Sequence, residues 1–282
     1  MKTNPINNQL TNQYLGFLQM PTIFGSNYFT GVEDFKTPND QPPSFDSEAL
    51  KLIQKHIYLG KRAEYFMLHY LSQQEHISKV MHSIQIQNER ETLGEIDFLF
   101  FDKLINKWVH LELVTKFYIY NSGDNIENYT HWIGPNLKDR FEFKLNKLKK
   151  HQLQLLKLPE ATSKLKTLDI NPDQVETQVC YKAKLFLPVG LDQFQHQVTS
   201  PDGVCGTYFN IEYFKSFQHK PYLYYIPQKL DWVTSPELQT HWYSFDKASD
   251  LLRSKLKEKR SCLLWRKTAD EDYFEDVVVW WN

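Results

Sequence analysis

Cysteine is scarce in this chain of 282 residues, and its three copies, Cys180, Cys205 and Cys262, lie far apart. There is no C-x-x-C pair and no histidine at zinc-ligand spacing, which argues against a zinc site and a disulfide framework and makes a reducing, cytoplasmic setting the expectation. A basic excess is also missing, since 33 Lys and Arg face 34 Asp and Glu for a net charge of −1. That balance argues against a sequence-blind DNA coat, but not against an enzyme whose cations are confined to one cleft. No apolar run approaches the roughly 20 residues needed to span a bilayer, so no membrane partner is expected. Met1–Gln13 is rich in Asn, Gln and Thr without an apolar core, unlike a secretory signal. Internal repeats and low-complexity tracts are absent.

What is present reads as an α/β (α+β) chain in three parts. Residues 1–45 form an N-terminal arm, with an apolar segment at Tyr14–Phe24 and a linker carrying Pro38, Pro42 and Pro43. Residues 46–160 hold a helical pattern from Ser47 to about Gln74, interrupted near Gly60, and then three strands at Ser83–Gln87, Glu95–Phe101 and Lys107–Tyr120. A polar loop at Asn121–Asn136, containing Gly123, precedes a long helix from Leu137 to about Leu158, stopped by Pro159. Residues 161–282 read as a C-terminal α/β extension packed on that core. Strands are expected there at Lys182–Pro188, Tyr208–Phe217, Tyr222–Ile226, Ser261–Arg266 and Val277–Trp281. A turn-rich loop is expected at Val198–Gly206, and a helix in the later part of Pro236–Lys259.

The chemistry concentrates in Gly94-Glu95-Ile96-Asp97-Phe98-Leu99-Phe100-Phe101 and His110-Leu111-Glu112-Leu113-Val114-Thr115-Lys116-Phe117. Alternation puts Asp97 on the face of Glu95, and Glu112 on that of His110, Val114 and Lys116. Paired as a hairpin, the two strands bring Asp97 and Glu112 together, with Lys116 further along the same face. Large apolar residues on both faces of 95–101 imply a strand covered on both sides, with Asp97 at least partly enclosed. The polar face of 109–117 also suits an ordinary solvated surface with a cross-strand ion pair. On the helix before the strands, Glu64 falls inside the apolar arc of Ala63, Phe66, Met67, Leu68, Tyr70 and Leu71. It must reach solvent or meet a partner there, because burying an unpaired charge is costly.

With Gly60-Lys61-Arg62-Ala63-Glu64 on a helix, then Gly94-Glu95-Ile96-Asp97, then Glu112 and a following lysine, residues 55–155 resemble the core of the PD-(D/E)XK nuclease superfamily. The wider pattern, including Trp132-Ile133-Gly134-Pro135-Asn136 and His151-Gln152-Leu153, resembles a bacterial family within it, the domain of unknown function 1853 family. The resemblance implies a restriction-endonuclease-like fold, a central mixed sheet flanked by helices. It also implies Mg²⁺ (or Mn²⁺) held by Asp97 and Glu112, and Glu64 and Lys116 as further catalytic residues. One position departs from the superfamily pattern: the lysine usually follows the second carboxylate by two residues, where this chain has Val114. Lys116 keeps the face but sits one step on, its Cα about 13 Å from that of Glu112 instead of about 7 Å.

The implied activity is Mg²⁺-dependent hydrolysis of phosphodiester bonds, with nucleic acid, DNA first, as the partner and a homodimer as an option. The alternative is a nuclease-like module that binds nucleic acid or protein without cutting. On the helix 137–158, Arg140, Lys144, Lys147 and His151 form one row that can follow phosphates, though taken alone it reads first as an ordinary solvated edge of snorkelling lysines. Gln152, polar within the apolar stripe, can face the catalytic cleft, and Arg140, Lys144, Lys147 and Gln152 are the candidate nucleic-acid contacts.

Overall fold

A computed structural model describes residues 5–24, 28–29, 31–38, 45, 47–56, 58–121, 131–191 and 201–281. Pro42 and Pro43 of the expected linker, Gly123, and the Val198–Ser200 start of the expected turn-rich loop lie outside those residues.

Among the described residues the fold is α/β, with seven α-helices around one mixed sheet of ten strands. The helices are α1 (Pro5–Gln19), α2 (Ser47–Gln54), α3 (Leu59–Gln73), α4 (Phe141–Lys150), α5 (Pro159–Thr167), α6 (Ile211–Phe214) and α7 (Phe245–Lys257). The strands are β1 (Glu33–Asp34), β2 (Ile77–Gln87), β3 (Thr92–Asp102), β4 (Lys107–Tyr120), β5 (Trp132–Ile133) and β6 (Val175–Pro188), followed by β7 (Val204–Asn210), β8 (Leu223–Tyr225), β9 (Cys262–Lys267) and β10 (Tyr273–Val279). The sheet runs β2-β3-β4-β6-β7-β10-β9-β8, with β1 beside β6 and β5 beside β4. Its first three strands form an antiparallel meander, the centre β4-β6-β7-β10 is parallel, and β9 and β8 close it antiparallel. The C-terminal strands therefore complete the sheet begun by the meander.

The central strand β6 is covered on both faces, and Val179–Leu187 is buried throughout, as expected of a parallel strand between two layers. A lysine can be accommodated there only with partners. Lys182, almost fully buried, donates to Leu18 O at 2.9 Å and Met20 O at 3.0 Å and so caps the end of α1. On one face, α1 and α3 pack Tyr14, Phe17, Phe66 and Met67 onto Phe98, Phe100, Leu111 and Leu113. On the other, Phe141, Leu145 and Leu148 of α4 cover Val114, Tyr118 and Tyr181. Beside them, Ala161 and Leu165 of α5 cover Ile86, Ile96 and Leu99. The apolar arm is thus a helix, its buried Leu10, Tyr14, Phe17 and Leu18 following helical spacing. It lies close to the chain at Val233, where a Cβ on Gly16 would stand 2.2 Å from Val233 O.

Several boundaries differ from expectation for identifiable reasons. The 47–74 pattern is interrupted as expected, into α2 and α3, but the break falls between Gln54 and Leu59, just before Gly60. The helix expected over 137–158 is ten residues long. Leu137 is in the left-handed region at φ 63°, Arg140 is extended, and His151 breaks the ladder, so Gln152–Lys157 continues as a 3₁₀ turn. The strand expected over 208–217 ends at Asn210, whose side chain accepts from Tyr213 N at 3.0 Å and starts α6.

Candidate active site

The site forms where the sheet forks. β3 and β4 pair only from Asp102↔Lys107 to Phe98↔Leu111. Beyond that point β3 stays with β2 as far as Thr92, and β4 stays with β6 as far as Ile119. Continued by one residue, the shared register sets Asp97 opposite Glu112. The N–H of Leu113, which has lost its partner on β3, donates instead to Asp97 Oδ2 at 2.9 Å. A side chain thus replaces the ladder at the fork, as a backbone donor away from water requires.

A second irregularity lies across from it. Ser83, at φ 53°, falls in β2 opposite Asp97, between the pairs His82↔Phe98 and Ile84↔Ile96. A non-glycine residue in that region within a strand is uncommon, and here the alternation changes phase. Leu99 and Ile96, an odd number of residues apart, pack into the same cluster, while Phe98 and Phe100 face α3. Glu95 lies close enough to Lys61 of α3 to attract its ammonium, and it lines one cavity together with Asp97.

Glu112 is fully buried, and its two oxygens have separate partners. His110 Nε2 donates to Oε1 at 2.7 Å, and Gln152 Nε2 donates to Oε2. This is the geometry of the Nε2–H tautomer, in which the imidazole donates and the carboxylate accepts. His110 Nδ1 is buried without a hydrogen-bond partner among the described residues. The network runs on through Gln152 Oε1, which accepts from Lys144 Nζ at 3.2 Å. The face expected to suit solvent is therefore internal, and the 3₁₀ turn after α4 is what brings Gln152 onto it.

Charge in the fork is unbalanced. Burial first, then Glu112 and Glu64, push the Asp97 pKa up to about 8, against the opposing Leu113 N–H and Lys144. Burial lowers the pKa of Lys144, while attraction to Asp97 and Glu112 partly restores it. Glu64 enters from α3 on the other side and is paired with Lys61, which also reaches Ser83 Oγ at 3.3 Å. Because the sheet is open here, side chains from helices on opposite faces meet in one cleft.

Two adjoining cavities occupy this region. The smaller, about 320 Å³, is lined by Glu64, Glu95, Asp97, Lys144, Lys147 and Gln152, among others. The larger, about 620 Å³, shares Glu64, Leu113 and Lys144 with it and extends past Lys116 to Gly134–Asp139 and Lys229.

Of the residues expected at the site, Glu64, Asp97, Glu112, Lys144 and Gln152 are brought together, and Lys147 lines the smaller cavity. Lys116 forms an ion pair with Asp139 and lines the larger cavity, not the smaller one that Asp97 lines. Arg140 is exposed at the start of α4 and is not among the residues lining either cavity. Sequence reasoning missed Ser83, Asp139 and Lys229. A left-handed backbone in a strand leaves no mark on a serine, and the other two reach the site through irregular segments.

A family model described as Domain of unknown function (DUF1853) matches residues 26–274. The chain belongs to the DUF1853 family. The match spans the meander, the fork, the cavities and most of the C-terminal strands, so the candidate site of this DUF1853 chain lies wholly within it. No curated protein and no solved structure matches the chain. No described helix of this family member is long and apolar enough to cross a membrane.

Proposed function

We propose that the chain is a divalent-metal-dependent nuclease of the PD-(D/E)XK, restriction-endonuclease-like type, hydrolysing phosphodiester bonds of DNA. The observation that supports this reading is the β3–β4 fork, where Asp97 and Glu112 stand at opposed positions. Glu64 joins them from one helical layer, and Lys144 and Gln152 from the other.

The donor set suits Mg²⁺ or Mn²⁺. The carboxylates offer oxygen only, and the raised Asp97 pKa marks a pocket that favours added positive charge. Among the described residues no group of three or more His, Cys, Asp or Glu could hold a metal ion. That departs from a closed all-protein cage but is compatible with Mg²⁺, which keeps several waters and takes one or two carboxylates. Asp97 and Glu112 would hold the ion, whose chemistry is to polarise the scissile phosphate and acidify a bound water.

The chain's own groups have separate tasks. His110 and Gln152 fix the orientation of Glu112, and the Leu113 N–H fixes that of Asp97. Lys144, facing both carboxylates, stabilises negative charge developing on the phosphate. In this reading the lysine task falls to Lys144, on a helix, and not to Lys116. A second reading, a non-cleaving nucleic-acid-binding or protein-interaction module, is favoured by Val114 in the usual lysine position and by the Lys116–Asp139 pair.

Incubation of the purified chain with single-stranded, duplex and branched DNA and Mg²⁺ or Mn²⁺ separates the two. Metal-dependent cleavage lost in Asp97→Asn and Glu112→Gln supports the nuclease; DNA binding without cleavage supports the module.

A further inference from the structure

The larger cavity is built differently from the acidic fork. Its charged lining is Glu64, Lys116, Lys138, Asp139, Lys144 and Lys229, four ammonium groups against two carboxylates. Lys116 has Asp139 as its partner. Lys229 has no carboxylate within ion-pair distance among the described residues. The residue is exposed, and its ammonium lies 3.2 Å from the centre of the Trp232 ring and 4.7 Å from that of Phe117. Burial, and then the nearby Lys116, push its pKa down to about 7. Two neighbouring ammonium groups lining one cavity repel each other unless an anion lies between them. Tyr58, three-quarters exposed, stands on the cavity lining beside the first turn of α3, a place where a base can stack.

We propose that this cavity is a phosphate subsite, in which Lys116 and Lys229 together hold a phosphate of a nucleic-acid strand adjoining the carboxylate fork. Asp139, partly exposed, turns to solvent when the phosphate takes its place beside Lys116. The choice of a strand as the source of the phosphate rests on the nuclease reading; the subsite itself does not.

The test uses the full chain without metal, in EDTA, so that binding is read apart from cleavage. Fluorescence anisotropy follows a fluorescein-labelled single-stranded oligonucleotide, with inorganic phosphate as competitor. In parallel, acylation of Lys229 near neutrality is read by mass spectrometry. The strand is expected to bind, more weakly as pH rises through about 7, and to protect Lys229 from acylation. Lys229→Gln is expected to weaken binding about tenfold, the scale of a lost charge-assisted hydrogen bond, and to flatten the pH dependence. Lys229→Arg should keep the affinity and lose the pH dependence. A folded Lys229→Gln variant that binds as the wild type does overturns the subsite. Protection of Lys229 by inorganic phosphate but not by the strand overturns the strand as its ligand. Strand binding through Lys229 in a chain that never cleaves DNA with Mg²⁺ or Mn²⁺ leaves the subsite standing and overturns the nuclease.

Discussion

Gln152 donates a hydrogen bond to the fully buried carboxylate of Glu112. This bond ties the 3₁₀ turn after α4 to the centre of the sheet, and through Gln152 Oε1 it extends to Lys144. Gln152 is accordingly a positioning residue for Glu112. Gln152→Leu is expected to lower Mn²⁺ affinity about 10- to 100-fold, the usual effect of losing a partner of a metal ligand. Isothermal calorimetry checks this, and an unchanged affinity would remove Gln152 from the site.

Glu112 has two donors that depend on it. Glu112→Ala leaves the buried His110 N–H unpaired, at a cost of about 1–3 kcal/mol to the metal-free fold, and the half-buried Gln152 N–H unpaired at a smaller cost. Glu112→Gln keeps the shape and an acceptor, so a smaller loss is expected. Urea unfolding of the two variants against the wild type measures the difference.

Asp97 gives the metal-free fold a pH dependence of known sign. Its folded pKa, up to about 8, exceeds the unfolded carboxyl value of about 3.9. The folded state therefore binds the proton more tightly. The associated stability is complete below the unfolded pKa and is lost as pH rises to about 8, with a slope of at most about 1.4 kcal/mol per pH unit. Asp97→Asn should abolish this part of the slope in urea titrations across that range. Metal binding selects the ionised form, so below that pKa it should release a proton, which adding EDTA reverses.

Lys144 and Lys116 are expected to separate kinetically. Lys144→Met removes the ammonium that faces both carboxylates and should lower kcat about 100-fold or more. Lys116→Met removes a cavity cation and should raise KM with little effect on kcat. Steady-state kinetics on one DNA substrate distinguishes them, and the reverse pattern would return the lysine role to Lys116.

The meander, the helix before it and the opposed carboxylates were legible because alternation and helical spacing report directly on burial. Asp97 and Glu112 could be brought together on the hairpin pattern alone. What alternation cannot show is its own interruption. The left-handed Ser83 changes the phase at Asp97, and the sheet opens one residue past Phe98↔Leu111. The long helix failed for a related reason, since the apolar stripe from Phe141 to Leu155 survives the change from α-helix to 3₁₀ turn at His151. Gln152 was identifiable as a polar residue in an apolar stripe. Lys229, far along the chain and beside Trp232, carried no local signal, because its position depends on how Trp232 packs against Phe117 of β4.

The most direct measurement is anomalous diffraction from crystals soaked in Mn²⁺. The account predicts an anomalous peak coordinated by oxygens of Asp97 and Glu112, with Lys144 Nζ nearby and the peak lost in Asp97→Asn crystals. Mn²⁺ bound elsewhere on the chain, with none between Asp97 and Glu112, would contradict it.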